Sequence, residues 1–123
     1  MDDDDKEAPL LEKLAAIRQS FLMRTRGEVP LLLELIGRIQ AADSTALVQL
    51  QNFAHRIHGS GATFDFPAIS EGAGQIENLL DAFIGTPAAS AAEPHVLGRL
   101  VECGRLLVLE IGAATTQGSA VDC

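Results

Sequence analysis

Residues 44–64 read STALVQLQNFAHRIHGSGATF. Apolar or small residues recur in this stretch at alternating spacings of three and four, the period of an α-helix with one buried side. The residues of this stripe are Leu47, Leu50, Ala54, Ile57, Gly61 and Phe64. The pattern predicts a helix from about Ser44 to Phe64 whose stripe faces the core of a helix bundle.

The rest of the chain repeats this period in four further segments, which short breakers separate. They span about 9–24, 30–42, 67–84 and 94–112. In the first segment the residues that recur at this spacing are Leu10, Leu14, Ile17 and Phe21. In the last segment the residues predicted to face inward are Leu97, Leu100, Val101, Gly104, Leu107, Val108 and Ile111. No segment alternates with a period of two for long enough to form a strand, and short connections favour antiparallel neighbours. We therefore expect an all-α fold, an antiparallel four-helix bundle with an additional N-terminal helix.

The ends of the chain differ from its middle in composition. Residues 1–6, MDDDDK, resemble an enteropeptidase recognition sequence and are interpreted as an expression-tag remnant outside the fold. Residues 113–123 are small and polar and are interpreted as a linker-like tail. One helical-bundle domain, residues 7–112, is expected between them, because a chain of 123 residues corresponds to a single domain.

Charge and hydropathy argue against two classes of partner. Residues 2–6 carry four of the 17 acidic and one of the nine basic side chains, so without them the net charge changes from −8 to −5. An acidic chain with scattered basic residues is not expected to bind nucleic acid, which needs clustered Lys and Arg. No apolar run approaches the roughly 20 residues that span a membrane, so membrane insertion is not expected.

The two cysteines, Cys103 and Cys123, form neither a CxxC pair nor a metal-binding spacing. This usage predicts a reducing, cytoplasmic compartment, with no metal and no cofactor in this chain. Cys103 lies inside a helical pattern and is interpreted as a small core residue.

The candidate for chemistry is His55, one residue after the stripe position Ala54. Successive residues of an α-helix are about 100° apart, so His55 is expected on the flank of the stripe. His58 and Gly59 follow one turn later on the same face. A glycine inside a helix costs about 1 kcal/mol relative to alanine, but Gly59 would leave open space beside the imidazole. At neutral pH an imidazole has an unprotonated nitrogen, which can attack phosphorus.

Simpler interpretations compete with this one. Most helical histidines are ordinary surface or half-buried residues, and a helix glycine such as Gly61 can serve close packing alone. His55 and His58 could also begin a metal site, but no third ligand is nearby in sequence, and His95 lies in another helix. The chain has no Gly-rich phosphate loop and no ATP-binding signature, which argues against kinase activity.

Residues 55–61, HRIHGSG, resemble the motif of the histidine-containing phosphotransfer (HPt) domain. That motif is a phosphorylated histidine, any residue, an aliphatic residue, a basic residue, glycine and two small residues. The sequence departs from the family at His58, where Lys or Arg is usual, and at Asp65, where Gly is frequent. The family often has Gln or Glu on the next helix near the phosphorylated histidine, and Glu77 has that spacing.

The resemblance implies a four-helix bundle in which His55 accepts a phosphoryl group, supported by His58, Gly59 and Glu77. Such a phosphorelay intermediate has no kinase site of its own, and it takes phosphate from one receiver aspartate and passes it to another. The implied partners are response-regulator receiver domains and a hybrid sensor kinase, with Mg²⁺ on the receiver and this chain as a monomer. The alternative is a non-catalytic helical interaction domain with a degenerate or incidental histidine, because His58 replaces a full cation.

Counting from the turn between the third and fourth helices places Glu77 beside His55. His55 lies ten residues before Asp65 and Glu77 lies ten residues after Pro67, and both helices rise about 1.5 Å per residue. Two antiparallel helices would therefore hold these side chains at one level. A carboxylate there would accept a hydrogen bond from one ring nitrogen and leave the other, Nε2, free.

Overall fold

The computed structural model describes the backbone of residues 2–84 and 93–122, and the side chains of residues 9–84 and 93–116. Its helices are α1 (Asp2–Gly27), α2 (Val29–Gln40), α3 (Ser44–Thr63), α4 (Pro67–Asp81) and α5 (Pro94–Asp122). The described ranges contain no strand, so the all-α prediction is confirmed.

Helices α2, α3, α4 and α5 form the bundle. Each packs against the next, and α2 also contacts α5, which closes the ring. The α3–α4 contacts join early residues of one helix to late residues of the other, so these two helices run antiparallel. The largest residues at the centre are Leu32, Leu35, Ile39, Leu50, Ile57, Ile69, Ile76, Leu80, Leu100 and Leu107. Burial of each such side chain stabilises the fold by about 1.5–3 kcal/mol, so the helical stripes supply the core.

A short turn joins α3 to α4 and fixes their register. α3 gives way to the turn where Asp65 adopts a φ of 65°, a left-handed conformation that aspartate reaches more readily than most residues with a side chain. The Phe66 N–H donates to the Gly61 carbonyl at 2.7 Å, and Pro67 occupies the first turn of α4. This tight connection sets one register along the whole α3–α4 hairpin, and that register positions the candidate site.

The N-terminal helix is longer than predicted. The sequence predicts a start near Pro9, and proline is in general favoured in a first helical turn. The helix instead begins at Asp2 and includes Pro9 in its interior. A residue that is favoured in the first turn does not exclude helix before it, so the proline was an incomplete signal.

The stripe predicted for α1 lies only partly inside the bundle. Phe21 is 2% exposed, and its ring centroid lies 5.4 Å from that of Phe64. Leu10, Leu14 and Ile17 are 58%, 48% and 46% exposed, so this part of the stripe lies outside the core. Periodicity shows which residues share a helix face, but it does not show how far along the helix the bundle extends.

The last helix continues past its predicted end near Gly112 and reaches Asp122. Small residues did not end it, because alanine is the best helix former and supplies part of this segment. Val101, which was predicted to face inward, is exposed. The remaining inward positions of α5 include Leu100 and Leu107, which are buried.

Two further predictions are not tested by the described residues. The sequence predicts that Gly85, Thr86 and Pro87 end the fourth helix, and these residues lie outside the described ranges. The division of the chain into residues 1–6, 7–112 and 113–123 also stays a prediction. In the described part of the chain, no helix combines the length and the apolar character needed to cross a membrane.

Candidate functional site

His55 projects into solvent from the middle of α3. Its side chain is 76% exposed, whereas the preceding Ala54 is fully buried. The 100° step between helical neighbours explains the contrast, because α3 turns Ala54 inward together with Leu50 and Ile57. The structure thus places His55 at the flank position expected from the sequence.

Glu77 on α4 lies beside His55 and contacts its imidazole. The Nδ1 atom of His55 and the Oε2 atom of Glu77 are hydrogen-bond partners. Glu77 follows the buried Ile76, and its side chain is only 17% exposed, so the carboxylate is held against the bundle. The structure brings together the two residues that counting from the turn places at one level.

The Glu77 carboxylate decides which nitrogen of His55 carries the hydrogen. An ionised carboxylate has no proton to give, so the Nδ1–H of the ring is the donor. In a neutral imidazole the second nitrogen, Nε2, then keeps its lone pair. His55 therefore presents a nucleophilic nitrogen on a highly exposed side chain.

A second polar pair repeats the same register one turn away. The Gln51 amide donates to Oδ1 of Asp81 at 2.7 Å. Gln51 lies one turn before His55 on α3, and Asp81 lies one turn after Glu77 on α4. Asp81 was not predicted from the sequence, although the same counting from the turn finds it. The pair fixes the alignment of the two helices beside His55.

The two glycines that follow His55 have different surroundings. Gly59 is exposed, and beyond its own helix backbone no atom lies within 4 Å of the place where a Cβ would stand. A Cβ on Gly61 would lie 3.0 Å from the backbone nitrogen of Ser70 and 3.1 Å from its Cα, because α4 passes close there. Open space next to His55 therefore exists at Gly59, whereas Gly61 permits close helix packing.

His58 lies against α4, although it is exposed overall. Its ring occupies the space that a side chain at Gly74 would need, and its Cε1 atom is 2.7 Å from the Cβ position of that glycine. Its backbone carbonyl accepts a hydrogen bond from the Ser70 hydroxyl at 2.7 Å. The supporting role predicted for His58 stays a prediction, and nothing in the sequence had pointed to Gly74.

The sequence matches the family model of the Hpt domain over residues 10–114, which is most of the chain. The chain belongs to the Hpt domain family. Hpt domains are phosphocarriers rather than kinases: they act by histidine phosphotransfer in phosphorelays and interact with receiver domains. Comparisons with curated proteins and with solved structures found no match.

The other basic residue near His55 in this Hpt domain, Arg56, is turned toward α2. Its guanidinium forms an ion pair with Glu28, with 2.5 Å between Nη2 and Oε2, and lies 5.3 Å from the ring centroid of Phe53. A cation that is already paired with a carboxylate has less charge to offer an anion at His55. The sequence did not predict this pairing, because Glu28 is far from Arg56 along the chain.

Among the described residues of the Hpt domain, no group of three His, Cys, Asp or Glu side chains is arranged to hold a metal ion. Cys103 is half-buried on α5, where burial raises the pKa of its thiol. A protonated thiol is a poor nucleophile and a poor metal ligand. The pair of His55 and Glu77 is therefore the candidate site for chemistry.

Proposed function

We propose that His55 is the phosphoacceptor of this Hpt domain, and that it receives a phosphoryl group from an aspartate of one receiver domain and passes it to a second receiver. The observation that supports this is the pairing of the exposed His55 with Glu77. The pairing leaves Nε2 as a free nucleophile that a receiver can approach. The open space around Gly59 adds to this access.

The proposed transfer to His55 is a displacement at phosphorus. The lone pair of Nε2 forms a bond to the phosphorus of the receiver's aspartyl phosphate, while the bond from phosphorus to the carboxylate oxygen breaks. The receiver's aspartate leaves as a carboxylate, and the imidazole, which keeps its Nδ1–H, becomes a cation. The Glu77 carboxylate lies on that N–H and stabilises the positive ring. Transfer to the second receiver reverses these steps on a new aspartate.

In this proposal the chain supplies the nucleophile and the receiver supplies most of the electrostatic stabilisation of the phosphoryl group. Phosphoryl oxygens need cations or hydrogen-bond donors as transfer proceeds, and we assign the Mg²⁺ and the acidic pocket that holds it to the receiver. The lack of a Gly-rich phosphate loop in the sequence supports a carrier that takes no phosphate from ATP. We place no cofactor in this chain.

Phosphorylation of point variants tests the assignment. Wild type, His55→Gln and the control His95→Gln, whose histidine is exposed on α5, are incubated with a small phosphodonor or a phosphorylated receiver. Acid-labile, base-stable phosphate is then measured. We expect uptake by wild type and His95→Gln and none by His55→Gln, with an intact helical spectrum because an exposed substitution changes stability by no more than about 0.5 kcal/mol.

Three outcomes would contradict the proposal in different ways. Uptake by His55→Gln would reject His55 as the acceptor. Loss of uptake in His58→Gln together with normal uptake in His55→Gln would move the acceptor to His58. No uptake by wild type would favour the alternative, a non-catalytic helical interaction domain.

Variants of Glu77 test its proposed role in orienting the His55 ring. Glu77→Ala removes the acceptor for Nδ1–H, and transfer should slow about 10- to 100-fold, as happens when the partners of metal-bound histidines are removed. Glu77→Gln keeps an acceptor oxygen without the charge, so an intermediate rate would separate orientation from electrostatics. Wild-type kinetics in Glu77→Ala would show that the contact has no role in transfer.

A further inference from the structure

We propose that Gly74 is a positioning residue of the phosphotransfer site. By lacking a side chain it leaves a niche on α4 for the His58 ring, and so holds His58 where it donates a hydrogen bond to the phosphoryl group carried by His55. This proposal rests on the proposed function, because it assigns the residue of this chain that stabilises the phosphoryl group.

The His58 ring fills a space that a side chain at position 74 would take. A Cβ on Gly74 would stand 2.7 Å from Cε1 of His58, closer still to Nδ1, and 3.6 Å from Cγ. The approaches to Cε1 and Nδ1 are shorter than real Cβ contacts, so any other residue at this position displaces the ring. The displaced group is the far end of a flexible side chain, so the ring moves and the helices keep their places.

The surroundings of the other glycines show that Gly74 does not serve backbone packing. The three atoms nearest to its Cβ position all belong to the His58 imidazole. At Gly61 the nearest atoms belong to Ser70 and include its backbone, and at Gly72 they belong to Leu107. Glycine is disfavoured inside a helix. The position of the His58 ring explains why a glycine stands at position 74.

The niche lies one helical turn from the acceptor. His58 follows His55 by three residues on α3, and Gly74 precedes Glu77 by three residues on α4, so both pairs share one face of the hairpin. The ring edge with Nδ1 and Cε1 faces Gly74. Nε2 of His58 is therefore the ring nitrogen that is left to bind a group on the outer face.

His58 is also the basic side chain near His55 whose charge is not engaged by a carboxylate in a described contact. Arg56, its neighbour in the motif, is paired with Glu28. A phosphoryl group on His55 brings about two negative charges at neutral pH. His58 is therefore the basic side chain beside His55 that is left to donate to that group.

The charged groups around the His58 ring are acidic. Asp65 and Glu71 border the groove in which it lies, Glu77 lies one turn further along α4, and His55 is the other titratable group. Imidazole changes charge between about pH 5 and 8. A protonated imidazole donates a stronger hydrogen bond to a phosphoryl group than a neutral one does.

A double-mutant cycle separates positioning from packing. Transfer from a phosphorylated receiver to His55 is measured in wild type, Gly74→Ala, His58→Gln and the double variant. Both single variants should transfer about tenfold more slowly, the lower end for a hydrogen bond to a charged group, and the double variant should be no slower than His58→Gln. An unaltered rate in Gly74→Ala, or slowing by Gly74→Ala that persists in the His58→Gln background, would overturn the proposal.

A lysine at position 58 provides a rescue that a packing role would not give. The long, flexible lysine needs no niche, so His58→Lys combined with Gly74→Ala should transfer as fast as His58→Lys alone. Between about pH 5 and 8, wild type and the control Gly72→Ala should share one pH profile. Gly74→Ala should lose the same pH-dependent part of the transfer rate that His58→Gln loses. A wild-type pH profile in Gly74→Ala would contradict the proposal.

The position of the ring can be read without phosphate. Nuclear Overhauser contacts between Hε1 of His58 and the Hα atoms of Gly74 should be present in wild type, and the ring signals should shift in Gly74→Ala while circular dichroism stays helical. Absence of these contacts overturns the niche. If wild type takes up no phosphate on His55, the proposed function is overturned. If wild type is phosphorylated and Gly74→Ala is phosphorylated at the same rate, only this proposal is overturned.

Discussion

Gly59 and Gly61 lie two residues apart on α3, and replacing each by alanine should change the free energy of unfolding by different amounts. Both variants gain about 1 kcal/mol of helix propensity, because alanine is favoured over glycine in a helix interior by that amount. At Gly59 nothing opposes the gain, since no atom outside its own helix backbone lies within 4 Å of the new methyl group. Gly59→Ala should therefore be about 1 kcal/mol more stable than wild type.

The new methyl group at Gly61 meets α4. It would lie 3.0 Å from the nitrogen of Ser70 and 3.1 Å from both its Cα and its Cβ, and these atoms belong to a packed helix that cannot rotate away. Overpacking of this kind costs about 1–3 kcal/mol, which offsets or exceeds the propensity gain. Gly61→Ala should therefore lie about 1–3 kcal/mol below Gly59→Ala in stability.

Urea unfolding followed by circular dichroism measures both values, because a single domain of this size unfolds in an approximately two-state manner. Equal stabilities for the two alanine variants would refute the close approach of α3 and α4 at Ser70. That result would also remove the register on which the contact between His55 and Glu77 depends. A wild-type-like slope with denaturant in both variants serves as the control that the unfolded states are comparable.

Three further predictions concern docking, capping and burial. Gly59→Leu should keep the fold. It should block transfer from a phosphorylated receiver and leave uptake from a small phosphodonor unchanged. Wild-type transfer rates with both donors would show that Gly59 has no docking role. Hydrogen bonds from the Thr45 hydroxyl and from Arg38 lower the pKa of Asp43 from 3.8 to about 2. The stability lost in Asp43→Asn should therefore be full above pH 3.8 and disappear as the pH falls toward 2, and a gap in melting temperature that persists at pH 2 would contradict this. Leu50→Ala should lower the free energy of unfolding, measured in urea, by about 2–5 kcal/mol. Leu14 is half-exposed, so Leu14→Ala should lower it by about 0.5 kcal/mol or less. Equal losses would contradict the exposure of Leu14 on α1.

Counting residues from a turn was sufficient to place His55 beside Glu77. Helices α3 and α4 are both regular, and the connection between them is short, so their register follows from the position of the turn at Asp65. The exposure of His55 follows from its step past Ala54 on the same helix. These are properties of one hairpin, which a single sequence determines through helical geometry alone.

The environment of His58 could not be predicted in the same way. Its ring position depends on a missing Cβ on another helix, and a glycine in the α4 sequence does not reveal which side chain will occupy its space. The pairing of Arg56 with Glu28 depends on how α2 packs across α3. The exposure of Leu14 depends on where the bundle ends beneath α1, and helical period carries no information about that boundary.

The charges on the α3–α4 face bear on how a phosphoryl group on His55 would be released again. If His55 is the acceptor, Glu77 stabilises the cationic ring that exists while the nitrogen–phosphorus bond is formed, and Arg56 is paired elsewhere. The phosphoryl oxygens would then meet the imidazole of His58, and an imidazole is a weaker cation than a lysine or arginine side chain. Strong cations here would hold the phosphoryl group in place, since they would stabilise the carried state as much as the transition state. With a weak cation, most of the stabilisation comes from the Mg²⁺ of an approaching receiver, so the activation free energy of transfer depends on docking. A relay that passes its phosphoryl group to a partner rather than to water needs that dependence.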